Sequence, residues 1–145
     1  MSTAHSSTDL ELFGREGSNG ASESAHAVAT VARVSAALKS YRYSFSSEFG
    51  LHEGMAEALT RAGIAFEQEV VAGSDRFDFL VDGGIVIEAK IKRSMPEALA
   101  QCMRYAQRDD VRAVVLAASR FWAHVVVGDT IAGKPFMMVK LARSF

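Results

Sequence analysis

The period of the apolar positions changes along the chain, and the changes mark out its elements. In residues 26–39, Val28, Val31, Val34 and Leu38 recur at helical spacing, which predicts a helix. Residues 41–45, Tyr-Arg-Tyr-Ser-Phe, alternate and suit an extended piece. Ser46 or Ser47 can cap a second helix with Glu48 in its first turn. It runs through Leu51, Met55, Ala58 and Leu59 to Ala62, where Gly63 is a natural stop. From there the period shortens. Residues 64–71 read as a strand, followed by a turn at Gly73-Ser74-Asp75. Residues 77–81 and 85–91 read as two more strands, and Asp82-Gly83-Gly84 between them is a strong hairpin signal. Pro96 suits the first turn of a helix reaching Gln107. Residues 111–118 form a nearly continuous apolar run, the pattern of a strand covered on both faces. Residues 123–127 and 136–141 are weaker strand candidates, with Gly133-Lys134-Pro135 turning between them. The order is helix, three strands, helix, strand. It predicts an α/β domain with a mixed central sheet flanked by helices.

Residues 1–25 break this pattern. They are rich in Ser, Ala and Gly, and only Leu10, Leu12 and Phe13 are large and apolar. They read as a flexible N-terminal arm, which leaves the folded domain to residues 26–145. At 145 residues and 49% hydrophobic content, one packed core is expected. No apolar stretch approaches a membrane span, and no charged-then-apolar leader opens the sequence. The single cysteine, Cys102, has no internal disulfide partner and reads as a core residue. A reducing compartment, the cytoplasm, is the expected location, with no membrane partner.

The overall charge of -1 conceals an asymmetry. Up to residue 28 the charges are Asp9, Glu11, Arg15, Glu16 and Glu23, a net of -3; the rest holds 15 basic and 13 acidic residues, a net of +2. A mildly basic domain permits a nucleic-acid partner without requiring one.

The candidate chemistry lies on the hairpin. If its turn centres on Gly83, Asp78 faces Glu88 directly across the ladder, and Lys90, two residues on, points to the same face. Like charges opposed on an apolar sheet need compensation. Lys90 supplies one positive charge. A hard divalent cation, Mg2+ or Mn2+, would supply two more, held by the two carboxylates with help from the Ala89 carbonyl. A lysine beside such an ion can orient water or stabilise charge developing on a phosphate. The plain alternative is a surface salt bridge, but the flanking Phe79, Leu80, Val81, Ile85, Val86 and Ile87 are too apolar for an exposed face. On the next helix, Gln101, Arg104, Tyr105 and Arg108 form one polar stripe, able to contact phosphates and stack on bases. Met95, Ala98, Leu99, Cys102 and Ala106 form the opposite, burial-prone stripe. Lys92 follows Lys90 on the same side of the strand and, with Arg93, makes a short basic run. Arg76 precedes Asp78 by two and shares its face, while His52 and His124 stand isolated.

Asp78 followed by Glu88-Ala89-Lys90 resembles the PD-(D/E)XK nuclease superfamily, over residues 47–118. The resemblance implies a restriction-endonuclease-like core and a metal-dependent phosphodiesterase acting on nucleic acid, DNA first. Asp78 and Glu88 would then be metal ligands, with Lys90 beside the attacking water. Phe77 departs from the proline common at that position. Members carry a glutamate on the helix before the first strand; here Glu53 is the first candidate and Glu57, one turn on, the second. Gln101 and Tyr105 match the Q-x-x-x-Y motif of the RecB-like branch in place and spacing. Lys92, Arg104 and Arg108 are the expected nucleic-acid contacts. A domain this small also calls for a second copy or a protein partner to cover its substrate. The competing reading is a catalytically silent module of the same fold that binds nucleic acid or protein as an adaptor.

Overall fold

The computed structural model describes residues 3–91, 94–119 and 128–144, with side chains from residue 20 onward. It begins with a long helix, α1 (Thr3–Lys39), and a two-residue strand, β1 (Arg42–Tyr43). Next come α2 (Glu48–Arg61) and three strands, β2 (Phe66–Ala72), β3 (Asp75–Val81) and β4 (Ile85–Lys90). The chain continues with α3 (Met95–Ala106), β5 (Ala113–Ala118), β6 (Thr130–Ile131), β7 (Lys134–Lys140) and β8 (Ala142–Arg143). The expected strand at residues 123–127 lies outside the described residues.

The architecture is mixed α/β. Six strands form one sheet in the order β2-β3-β4-β5-β7-β6, and β1 pairs with β8 in a separate parallel ribbon. β2, β3 and β4 are antiparallel neighbours, whereas β4, β5 and β7 run parallel. The apolar run of β5 is explained by its central place, with every residue buried. One face of the sheet packs against α1 and α2. There Phe79, Val81, Ile85, Ile87, Val115 and Ala117 meet Val31, Val34, Leu38, Leu51, Met55 and Leu59. The other face packs against α3, where Val86, Val114 and Leu116 meet Ala98, Cys102, Tyr105 and Ala106. Among the described residues no helix is long and apolar enough to cross a membrane.

Three sequence expectations change. α1 begins at Thr3 rather than near His26, because the Ser, Ala and Glu of that segment tolerate a helix. From residue 20 onward, residues 20–26 are exposed and Ala27 is the first buried position. The buried stripe of α1 runs through Ala27, Val31, Val34 and Leu38, and leaves Val28 exposed. In the C-terminal hairpin the turn is Ala132-Gly133, so Lys134 and Pro135 belong to the strand rather than the turn. The end of α2 follows expectation: Ser47 caps it through Gly50 N–H at 3.0 Å, and Gly63, with φ of 71°, turns the chain out.

Candidate active site

Two charged residues end β4, although the strand is buried throughout. Val86 packs under α3, and Glu88 and Lys90 follow on the same face at the period of a strand. Glu88 is 2% exposed and Lys90 8%. Lys90 Nζ donates to Glu88 Oε1 at 2.7 Å. The other carboxylate oxygen, Oε2, is buried without a hydrogen-bond partner.

β3 brings Asp78 to this pair. The register expected from a turn centred on Gly83 holds, with Val81 opposite Ile85, Leu80 opposite Val86 and Phe79 opposite Ile87. There the ladder ends. Asp78 and Glu88 are not a ladder pair, which corrects the expectation. Instead the strands part, and the Ala89 N–H donates to Asp78 Oδ2 at 2.8 Å. A side-chain oxygen thus takes the place of a main-chain acceptor. Ala89, expected to offer its carbonyl, is engaged here through its N–H. β3 also changes face at this point: Phe77 packs with α3, but Phe79 and Val81 pack with α1 and α2. On the neighbouring strand Glu69 has a left-handed φ of 53°, interrupting the pairing between Gln68/Phe79 and Val70/Phe77. The distortion sits beside Asp78. Arg76, expected to share its face, is turned outward and ion-pairs with Glu69 at 2.8 Å.

The two acids feel each other. Burial, then the neighbouring Asp78 carboxylate, pushes the Glu88 carboxyl up to about 7, against the pull of Lys90. The charge of Glu88 reaches α3 as well. With burial as the larger cause, it helps push the Cys102 thiol and the Tyr105 phenol up to about 12.

α2 adds a residue that sequence reasoning left isolated. His52 Nε2 lies 3.9 Å from Asp78 Oδ2, beyond hydrogen-bond length, and its ring meets Phe79 edge-on at 5.5 Å. Neither glutamate expected from this helix joins the acidic pair. Glu57 accepts from Tyr41 Oη at 2.6 Å and pairs with Arg61, and Glu53 is exposed. The reason was available in the sequence. With Leu51, Met55, Ala58 and Leu59 turned to the core, position 53 falls on the opposite side of the helix and position 52 on the flank of the stripe.

α3 also departs from expectation. Tyr105 is 1% exposed, not part of a wet stripe. Its ring packs edge-on against Phe77 at 4.9 Å, its hydroxyl donates to the Arg76 carbonyl at 3.0 Å, and Gln101 Nε2 donates to that hydroxyl at 2.6 Å. Gln101 and Tyr105 therefore form a strut from α3 to β3, two residues before Asp78. Arg104 and Arg108, expected on phosphates, are instead ion-paired with the buried Asp75 at 2.9 and 3.3 Å. Arg108 also holds Asp110 and the Ala72 carbonyl. Asp75, read in the sequence as a turn residue, is the anchor that takes up these cations. Lys92 lies outside the described residues.

Tyr105→Ala is expected to cost about 3–5 kcal/mol of stability, since it removes a fully buried ring. Tyr105→Phe keeps the ring and loses only the strut, about 1 kcal/mol. Thermal unfolding separates the two. A Tyr105→Ala protein melting like the wild type would deny the ring its place in the core.

Among the described residues, no group of three or more His, Cys, Asp and Glu side chains is arranged to hold a metal ion. The donors at hand are the Asp78 and Glu88 carboxylates, one of them with an orphaned buried oxygen. That chemistry fits a hard divalent cation. Compared with known proteins, the chain matches no family model, no curated protein and no solved structure.

Proposed function

We propose that the chain is a divalent-metal-dependent nuclease with a restriction-endonuclease-like core of the PD-(D/E)XK kind, hydrolysing phosphodiester bonds in nucleic acid, DNA first. The observation that carries this reading is the Glu88 carboxylate. It is buried, near enough to Asp78 to feel its charge, and left with one oxygen unpartnered. Such an arrangement costs stability unless a cation compensates it. The order of α2, the β2–β4 strands, α3 and β5 supports the core.

Asp78 and Glu88 would hold Mg2+ or Mn2+. When bound, the cation would supply Lewis acidity and a water more easily deprotonated than bulk water. The chain's own groups do the rest. The Ala89 N–H holds Asp78 in place, and the Gln101–Tyr105 strut fixes the β3 backbone just ahead of it. Lys90, anchored on Glu88, keeps an ammonium beside the acids, where it can donate to a water or to a phosphate oxygen as charge develops. His52 flanks Asp78 from α2. With Arg104 and Arg108 tied to Asp75, substrate affinity is expected to depend on them less than on groups nearer the acids.

The test is incubation with labelled single- and double-stranded DNA and RNA, in Mn2+, Mg2+ or EDTA, beside thermal melting under the same conditions. Cleavage is expected only with metal. Metal should also raise the melting temperature, and by more as pH rises through 7, because binding requires Glu88 ionised. Absence of both effects would overturn the reading. Nucleic-acid binding without cleavage would leave the silent module.

A further inference from the structure

The acidic pair fixes where a phosphate would react, but not what form of nucleic acid presents it. α2 carries a feature that bears on this. The helix turns Leu51, Met55, Ala58 and Leu59 into the core, yet leaves Phe49 73% exposed. Phe49 precedes His52 by three positions, so the two are surface neighbours on one turn, with Cβ atoms about 5–6 Å apart. His52 in turn stands 3.9 Å from Asp78. A solvent-facing aromatic ring is thus one helical turn from His52, the residue that flanks the proposed metal ligand Asp78.

Its sequence neighbours narrow what could cover it. Ser46, Ser47, Glu48 and Gly50 flank it, all small or polar. A protein partner needs a contiguous apolar patch with a desolvated centre, and a lone ring does not make one. A nucleobase needs only a flat face of matching size. Inside a duplex both faces of a base are covered by stacked neighbours, so a base free to lie on Phe49 comes from a single strand or an unpaired end.

From this continuity with the acidic pair, we infer that Phe49 is a stacking platform for an unpaired base next to the scissile phosphate, making single-stranded or frayed DNA the preferred substrate. This rests on the nuclease reading and adds the substrate class to it. Phe49 is a specificity-determining residue, and its exposure means that replacing it leaves the fold intact.

The experiment measures binding of the full chain to labelled single-stranded and blunt duplex oligonucleotides in Ca2+, and cleavage of both in Mn2+. Phe49→Ala should weaken single-strand binding by about 5- to 150-fold, the range of one lost base stack, and leave the duplex within about twofold. Phe49→Trp should retain affinity; Phe49→Leu, apolar but not flat, should behave like the alanine variant. One abasic nucleotide beside the cleavage position should weaken the wild type as the substitution does, and should not weaken Phe49→Ala further. If the wild type cuts DNA while Phe49→Ala binds single strands normally, or loses duplex affinity equally, the platform is overturned and the nuclease reading stands. If the wild type cuts nothing yet loses single-strand binding with Phe49, the nuclease reading falls and the stacking contact survives it.

Discussion

Glu88→Gln is expected to abolish metal-dependent cleavage and, without metal, to make the protein more stable above neutral pH. The first effect follows from losing one of two carboxylate donors. The second follows from the Glu88 carboxyl ionising near 7 in the fold against the usual 4.5. Between those values the folded state keeps a proton that the unfolded chain has released, so stability falls as pH rises from 4.5 through 7. Above both values the loss amounts to about 3 kcal/mol. Glutamine has the shape of a protonated glutamate and suffers no such loss. In EDTA at pH 4.5 the two proteins should melt together; at pH 8 the variant should melt higher. A wild-type melting temperature indifferent to pH over this range would contradict the strained state of Glu88, and cleavage at the wild-type rate by the variant would remove Glu88 from the site.

Lys90→Ala should lower kcat by about 10²- to 10³-fold at saturating metal, the usual cost of losing one electrostatic donor at a transition state. It also strips Glu88 Oε1 of the Lys90 donor, so an ionised Glu88 would be buried with neither oxygen satisfied. Breaking a buried pair in this way costs about 3–5 kcal/mol. The sign with pH is again set by Glu88: protonation relieves the damage, so the variant should be far less stable than the wild type at pH 8 and much closer to it at pH 5. Saturating Mn2+ should restore part of the loss. A variant that turned over normally at saturating metal would show that the ammonium only balances charge.

How far the sequence carried depends on how local each determinant is. The β3–β4 register was legible because the Asp82-Gly83-Gly84 turn sets it, with φ of 96° and 81° at the two glycines. A side chain at Gly84 would in addition meet the Asp110 carbonyl at 2.8 Å. The parting of the strands at Asp78 was not legible, because it depends on a third strand whose Glu69 leaves β geometry. The Tyr105 hydroxyl suggests a wet stripe in the sequence, but the Arg76 carbonyl and Gln101 satisfy that hydroxyl inside the core. Arg104 and Arg108 looked available only because Asp75 is 29 and 33 residues away in sequence and adjacent in space. His52 looks isolated in the sequence because Asp78 is distant along the chain and adjacent in space.

The left-handed residue on β2 has a second consequence. β2 is the outermost strand on its side of the sheet, and such an edge offers unpaired backbone groups to any passing extended chain. Here the middle of the edge is Glu67, Gln68 and Glu69, all exposed, and the backbone at Glu69 leaves the plane that a neighbouring strand would have to follow. An incoming strand would meet two carboxylates and a kink halfway along its length. The twist accompanying the turn of Asp78 into the site therefore also discourages edge-to-edge stacking of one molecule on the next, so a substitution that straightened β2 would endanger solubility before it affected the fold.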